Sequence, residues 1–470
     1  MDEPSDPSFL HTDPGTPEHV WLADPGWWRM PLVDVDALTG RFDELLVLAA
    51  HPDDESLAVG GLVAAAHRGG LPVRVVVATD GEGSHPGASA WQPDALAAVR
   101  RREVAAAVEA LAPGAVVEHL HLPDGGLADH LEELGAAVAA RLRPTTLVLA
   151  PWTADGHPDH DALGQVAADA VATAGATVAH YPLWLWHWGA PADLHADVTR
   201  PGAAVPHVVE LALDDLHRKT EALARHPSQT LPLGPLPGDG PVVTDAVLRR
   251  ARRPVEVLLA RPGTLPVRSA RPVGVVAEPF DAMYAEGEHD PWGFEGSFSE
   301  RRKRVLTTAV LRRPRYRRIV EVGCATGILT RELASRADEV VALDVSGEAL
   351  AVARRDAPPT VRWVHGAAPR DVPEGEADLV VFSEVGYFLT PTELLETLRR
   401  VRRSLAPGGE VVLVHWRHPT EGVPLDGPTV HDVALAALAD LGHRTHHEDA
   451  DVLVDVLGGP ESVAAVEGRR

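Results

Sequence analysis

Cysteine is all but missing from this chain: of 470 residues only Cys324 carries a thiol, and it has no partner in the sequence. A lone thiol excludes a disulfide framework and predicts a reduced compartment, the cytoplasm. No apolar run is long enough to span a bilayer. The opening residues, MDEPSDPSFL, are acidic and lack the basic-then-apolar pattern of a secretory leader, which predicts the same location. Lysine is scarce as well, with Lys219 and Lys303 standing alone among many arginines. The formal net charge of −25 argues against a general nucleic-acid surface, because phosphate contacts need clustered Lys and Arg.

What is present reads as globular, 45% hydrophobic and 24% charged. The length exceeds one ordinary core and predicts two or three domains. Short apolar strands at residues 45–50, 73–79, 116–122 and 146–150 alternate with helical patterns at 57–68, 96–110 and 131–141. Such alternation predicts an α/β fold with a mostly parallel sheet covered on both faces. Residues 261–279 hold four Pro and two Gly without periodicity, which marks a linker. Beyond it the alternation restarts, with strands at 318–323, 339–345, 361–364, 377–383 and 410–416 and helices at 328–337, 347–356 and 391–405. The expected division is an N-terminal arm at 1–40, a first domain at 41–262, a linker at 263–278 and a second domain at 279–470. Trp21, Trp27 and Trp28 crowd the arm, which either docks on the first domain or is weakly ordered.

The run AAHPDDE at residues 49–55 places a histidine and three carboxylates directly after an apolar strand. Open α/β sheets build their sites at that end of a strand. About a hundred residues on, the strand at 146–150 leads into Asp155-Gly-His157-Pro-Asp159-His160. His51 and Asp54, three apart in a tightening loop, can face one point, and His160 can complete a three-ligand set with a position open for water. A divalent metal there lowers the pKa of that water towards neutrality. Asp53 is placed to take its proton. His157 can polarise or protonate the tetrahedral intermediate, with Asp159 fixing its tautomer. Read singly, such a His is a solvated loop residue and such an Asp a helix cap; the pairing of two segments favours the site.

These residues resemble the PIG-L/LmbE-like family of zinc-dependent N-acetylglucosamine deacetylases, over about residues 40–260. Leu122-Pro-Asp124-Gly-Gly-Leu127 looks like the family's substrate-side loop, and Lys219 through His226-Pro-Ser228-Gln229 like its K…H-x-S-Q element. The resemblance implies His51, Asp54 and His160 as metal ligands, with zinc or another divalent ion as cofactor. It implies Asp53 as base, His157 as acid or oxyanion partner, Asp124 on the substrate side, and removal of an acyl group from a sugar nitrogen. Trp184, Trp186 and Trp188 alternate, which predicts one face of a strand. Sugar stacking and core packing are both open to them.

In the second half, Glu321-Val-Gly323-Cys324-Ala325-Thr-Gly327 follows a strand and opens a helix, and Asp344 ends the next strand. Glycines let the backbone approach a nucleotide, and a strand-end carboxylate can hold ribose hydroxyls. The dinucleotide spacing G-x-G-x-x-G is absent. The pattern resembles motif I of class I S-adenosylmethionine methyltransferases, with Ala325 where a middle Gly is common. Over about residues 278–457, Tyr284, Asp290-Pro-Trp292, Ser383-Glu384-Val-Gly-Tyr387 and His415-Trp-Arg-His418 look like the NodS branch. That branch methylates the free amine of a deacetylated sugar. The resemblance implies Glu321, Gly323, Cys324, Ala325, Gly327 and Asp344 at the adenosyl donor, and Tyr284, Trp292 and Tyr387 at the acceptor. Glu384 and His415 would orient or deprotonate the amine; as plain residues they are equally strand-end polar groups. The basic clusters at 301–304 and 312–318 either meet an acidic substrate or form a solvated helix face.

Together the two resemblances imply two Rossmann-like three-layer domains. They describe a bifunctional enzyme acting on a small amino sugar or glycoconjugate, by N-deacetylation and then by methyl transfer to the freed amine. Two alternatives keep the deacetylase: O-methylation of the same glycoconjugate, or a non-catalytic adenosyl-binding regulatory half.

Overall fold

The computed structural model describes residues 15–86, 91–196, 203–236, 238–268, 273–285, 290–420, 422–460 and 462–469. Two compact units divide the chain, one comprising Met1–Trp21 with Met30–Arg268, the other Leu22–Arg29 with Ser269–Arg470.

The first unit is built on nine strands: β1 (Leu32–Val33), β2 (Glu44–Ala49), β3 (Val73–Thr79), β4 (Val116–Leu122), β5 (Thr146–Pro151), β6 (Thr177–Tyr181), β7 (Val205–Glu210), β8 (Val255–Ala260) and β9 (Val267–Arg268). Their order is β4-β3-β2-β5-β6-β8-β7-β1-β9. The first five are parallel, and β8 turns antiparallel. β2 reads as a continuous apolar run because both its faces are covered. Leu45, Val47 and Ala49 pack with Leu62 and Val104 on one side, Leu46 and Leu48 with Leu134 and Leu163 on the other.

The second unit has seven strands: β10 (Tyr316–Val322), β11 (Ala337–Asp344), β12 (Val361–His365), β13 (Ala377–Ser383), β14 (Leu405–Trp416), β15 (His443–Glu448) and β16 (Val452–Gly458). Their order is β12-β11-β10-β13-β14-β16-β15, parallel up to β14 and antiparallel beyond it. Both units are thus α/β with parallel-rich sheets. In each, strand order reverses beside the first strand of the parallel set: between β2 and β5, and between β10 and β13. Crevices open at the carboxyl ends of strands at such reversals. The segments after β2 and β5, and after β10 and β13, are the motif-bearing ones.

Three expectations need correction. The expected arm is divided: Leu22–Arg29 groups with the second unit, while Leu32 pairs with Val208 in the first sheet. The expected linker contains β9, paired with β1, and the start of a helix at Val273–Ala285 that holds Pro279 inside it. The tryptophan run is no strand. Leu185–Trp188 is a short helix, because Asp155 accepts the amides of Leu183, Trp184 and Leu185 and caps its first turn. Helical spacing puts Trp184 and Trp188 together, with ring centroids 6.3 Å apart, and turns Trp186 into the core against Trp21. No helix among the described residues is long and apolar enough to cross a membrane.

Candidate functional sites

At the first crevice, the loop after β2 and the helix Pro158–Ala174 bring His51, Asp54, His157 and His160 together. His160 is fully buried; its Nδ1 bonds Asp155 Oδ2 at 2.8 Å, and its Nε2 lies 3.4 Å from Asp54 Oδ1 without a hydrogen-bond partner. Burial works against the His160 imidazolium, but Asp54 and Asp155 outweigh it and raise the ring to about 9. His51 Nε2 lies 3.1 Å from Asp124 Oδ1 and 3.2 Å from Asp159 Oδ2. Burial opposes its charge too, yet hydrogen bonds to those two carboxylates hold it well above its ordinary value. Asp54 is held below the usual carboxylate range: burial is overcome by His160 and His51. Its Oδ2 accepts the His51 amide at 2.9 Å and lies 3.9 Å from His51 Nδ1. An orphaned imidazole nitrogen facing a carboxylate, on rings that hold protons a cation would displace, fits a divalent metal. His51, Asp54 and His160 would hold it. Ligand atoms of His51, His157 and His160 lie within 4.8 Å of one another, as do those of His51, Asp124 and Asp159.

Asp53 stands apart from that set. It faces Arg100 Nη2 at 3.2 Å, and Arg100 is itself fixed by the carbonyls of Gly81 and Pro52. Burial raises Asp53 to about 6, with Arg100 opposing. His157 is lowered to about 3, by burial first and then by His51 and His160. Its Nδ1 accepts the Asp159 amide at 3.3 Å, so the neutral ring carries its proton on Nε2. The Asp159 carboxylate, expected to orient His157, does not. It accepts the amides of Gly125 and Leu127 and fastens the 122–127 loop beside His51. That loop's Asp124 thereby sits against His51, with Oδ2 accepting the Gly83 amide.

The orienting role belongs to Asp155, which the sequence reading left without one. A carboxylate behind a ligating histidine fixes its tautomer and ring; here it holds His160. Lys219 lies elsewhere: Nζ bonds Glu256 Oε1 at 2.7 Å, and Glu256 accepts the amides of Gly61 and Leu62. Those amides follow Val59, where the helix Asp54–Arg68 breaks its regular dihedrals. His226 Nε2 lies 3.2 Å from Ser56 Oγ, and Ser228 bonds Glu103. Lys219, through Glu256, and His226 thus brace the helix that carries Asp54, while Ser228 ties the element to the helix Pro93–Leu111.

The second crevice is a cavity of about 220 Å³. Glu321, Gly323, Cys324, Ala325 and Asp344 line it; Gly327 does not, and any side chain at Gly327 would strike Trp363. Burial raises Glu321 to about 8, and its Oε2 has no hydrogen-bond partner. Asp344 accepts the amides of Ala325 and Ser346. Ala325 sits at φ 47, the left-handed conformation that explains why glycine is common there. Tyr284, Trp292 and Tyr387 lie on the same cavity, with the Trp292 ring tilted against Phe388 at 6.3 Å. Two carboxylates and several aromatic rings suit a ligand bearing a sulfonium and an ammonium, so the site fits an adenosyl donor.

Glu384, at φ 58, also lines this cavity. Its Oε2 accepts from the Tyr387 hydroxyl at 2.9 Å and lies 3.1 Å from Lys303 Nζ, while the buried Oε1 has no partner. Lys303, in the basic run expected either to meet an acidic substrate or to form a solvated helix face, is 5% exposed and also pairs with Glu300 at 2.7 Å. His415 does not join them. It is fully buried, its Nε2 accepts the Gly386 amide, and its Nδ1 meets His431 Nε2 at 3.0 Å. Burial depresses it well below its ordinary value. It positions the loop that carries Glu384 and Tyr387.

The GlcNAc-PI de-N-acetylase (PIG-L) family matches residues 46–171, and a methyltransferase-domain family matches residues 319–409. The chain is 33% identical over 128 residues to nodulation protein S of Rhizobium tropici, covering 26% of this chain and 53% of that protein. It is 32% identical over 164 residues to the 1D-myo-inositol 2-acetamido-2-deoxy-alpha-D-glucopyranoside deacetylase of Rhodococcus jostii, covering 29% and 56%. It is 33% identical over 121 residues to the dTDP-3-amino-3,6-dideoxy-alpha-D-glucopyranose N,N-dimethyltransferase of Streptomyces fradiae, covering 25% and 47%. The chain thus spans about half the length of these curated relatives.

Proposed function

We propose that this chain, which joins a PIG-L deacetylase domain to a methyltransferase domain, removes an acyl group from the nitrogen of an amino sugar and then methylates the freed amine. Two buried polar atoms without hydrogen-bond partners carry this reading, one in each unit: His160 Nε2 and Glu384 Oε1. The relatives support the two reactions, since one is named as a deacetylase of an acetamido sugar and another as a dimethyltransferase of an amino sugar.

In the first unit, a metal on His51, Asp54 and His160 would supply Lewis acidity to a water and to the amide carbonyl; zinc suits the imidazole–carboxylate set. Asp53, raised by burial, takes a proton from that water near neutral pH. His157 Nε2–H donates to the oxygen that gains charge. Trp184, stacked on His157 at 6.4 Å, and Trp188 extend an aromatic shelf from the catalytic histidine, to which a sugar ring can stack. The products are the carboxylate and the amine.

In the second unit, the adenosyl donor would occupy the cavity against Glu321 and Asp344. Glu384 Oε1 would hold the acceptor amine, and Lys303 and Tyr387 fix the carboxylate that does so. An ammonium has no lone pair, so the amine must lose a proton before transfer. Fusion raises the effective concentration of the intermediate. The test is product analysis of the purified chain on N-acetylated amino sugars, with and without S-adenosylmethionine. Acetate release without the donor and a methyl on nitrogen with it are expected. A methyl on oxygen, or transfer to the still-acetylated sugar, sinks the reading.

A further inference from the structure

The edge of the second sheet holds a cluster that neither reaction uses. Strand β16 is apolar except for Asp455, which is 1% exposed, and its two oxygens are divided between different partners. Oδ2 meets His431 Nδ1 at 2.6 Å; Oδ1 meets His443 Nε2 at 2.6 Å and His446 Nδ1 at 2.9 Å. Residues three apart on a regular strand face opposite sides, so His443 and His446 should not converge. They do because the pairing shifts: His443 lies opposite Leu457 and Thr445 opposite Val456. That extra residue is a β-bulge, which re-aims side chains at sheet edges and beside sites.

We propose that His443 Nε2, His446 Nδ1 and Asp455 Oδ1 form a second divalent metal site of the Zn2+, Cu2+ or Ni2+ class, separate from the hydrolytic centre. Two imidazoles and one carboxylate oxygen within 4.8 Å of one another match the preference of those borderline ions, not of Mg2+ or Ca2+. Ligand atoms around a tetrahedral ion with bonds near 2.0–2.1 Å stand about 3.3 Å apart. The two imidazole contacts to Asp455 Oδ1, at 2.6 and 2.9 Å, therefore need to open by about 0.7 and 0.4 Å. The side chains that must move can do so, because His443 and His446 are 41% and 49% exposed. That exposure also gives the ion a path and leaves solvent for the remaining position. The surroundings already supply what a ligand set needs behind it. His431 fixes the other oxygen of Asp455, and Glu448 Oε2 lies 3.4 Å behind the far nitrogen of His446.

The test uses the full chain, stripped by chelator and titrated with Zn2+ alone under equilibrium dialysis. Two ions per chain are expected. His443→Gln/His446→Gln should bind one fewer while keeping its acetate release and melting temperature; His160→Gln should also bind one fewer, yet lose hydrolysis. A double variant that binds as much Zn2+ as the unaltered chain overturns the site. Should that variant fail to fold, diethylpyrocarbonate labelling of the unaltered chain decides. Protection of His443 and His446 by Zn2+ supports the site, and equal labelling with and without the ion refutes it.

Discussion

Around His51 and His160 the first unit packs charge against charge: each imidazole lies between two carboxylates, and Asp53 leans on Arg100. Around Glu321 the second unit instead leaves a shaped volume, lined by Gly323, Ala325 and Glu384 at positive φ, a backbone region that Asp53 also occupies in the first unit. The contrast follows from the chemistry proposed for each. Hydrolysis needs a base and a polarised water held in fixed orientation, so side-chain pairs set the geometry. Group transfer needs two bound molecules brought into line, so an enclosed space does. Strained residues of this kind persist where the surrounding fold over-determines them. The two sites should therefore fail in different ways.

The largest expected effect is a crossed loss. His160→Gln should lower acetate release by more than about 100-fold, beyond what loss of a residue behind a ligand costs, and spare methylation of a pre-deacetylated acceptor. Glu384→Gln should do the reverse, lowering methyl transfer on the order of 100-fold. Either variant suppressing both activities would end the comparison. A smaller change should come from Asp155→Asn, which frees His160 to rotate. The metal concentration for half-maximal acetate release should rise by roughly 10- to 100-fold, with affinity for S-adenosylhomocysteine unchanged; an unaltered metal requirement would move the orienting role elsewhere. Smallest is Ala325→Gly. Relief of a left-handed alanine exceeds the added freedom of the unfolded chain, so the second unit should gain a few tenths to about 1 kcal/mol. Thermal unfolding reads this directly, and a lowered midpoint would show that the methyl packs usefully.

The parallel core of both sheets was legible because its strands are buried on two faces and read as unbroken apolar runs. Strand β15 was not: HRTHHE has one wet face and sits at an edge, so nothing in its pattern marks a strand. The residues that carry motifs were found, but their supports were not. Asp155 lies five residues before His160, a spacing that no helix or strand rule connects, and Arg100 reaches Asp53 from a distant helix. Lys303 hid inside a basic run. Yet its rarity was a signal: the only two lysines in the chain are both buried in ion pairs, with Glu256 and with Glu300 and Glu384. For His415 the sequence leaves two readings open, half of an amine-orienting or proton-accepting pair with Glu384 or a plain strand-end polar group. The helix Gly427–Ala437 favours the second, since its His431 takes one ring nitrogen and the Gly386 amide the other.

Asp155 has a consequence for how such an enzyme can diversify. One carboxylate fastens both His160, the histidine proposed to ligate the metal, and the turn that sets Trp184 over His157. Under the proposed function, ion affinity and the choice of sugar are then geared together. A lineage that reshapes the aromatic shelf to accept a new substrate disturbs the imidazole beneath it. New specificities should therefore arise at the shelf's outer tryptophan, Trp188, before they arise at the turn that Asp155 holds.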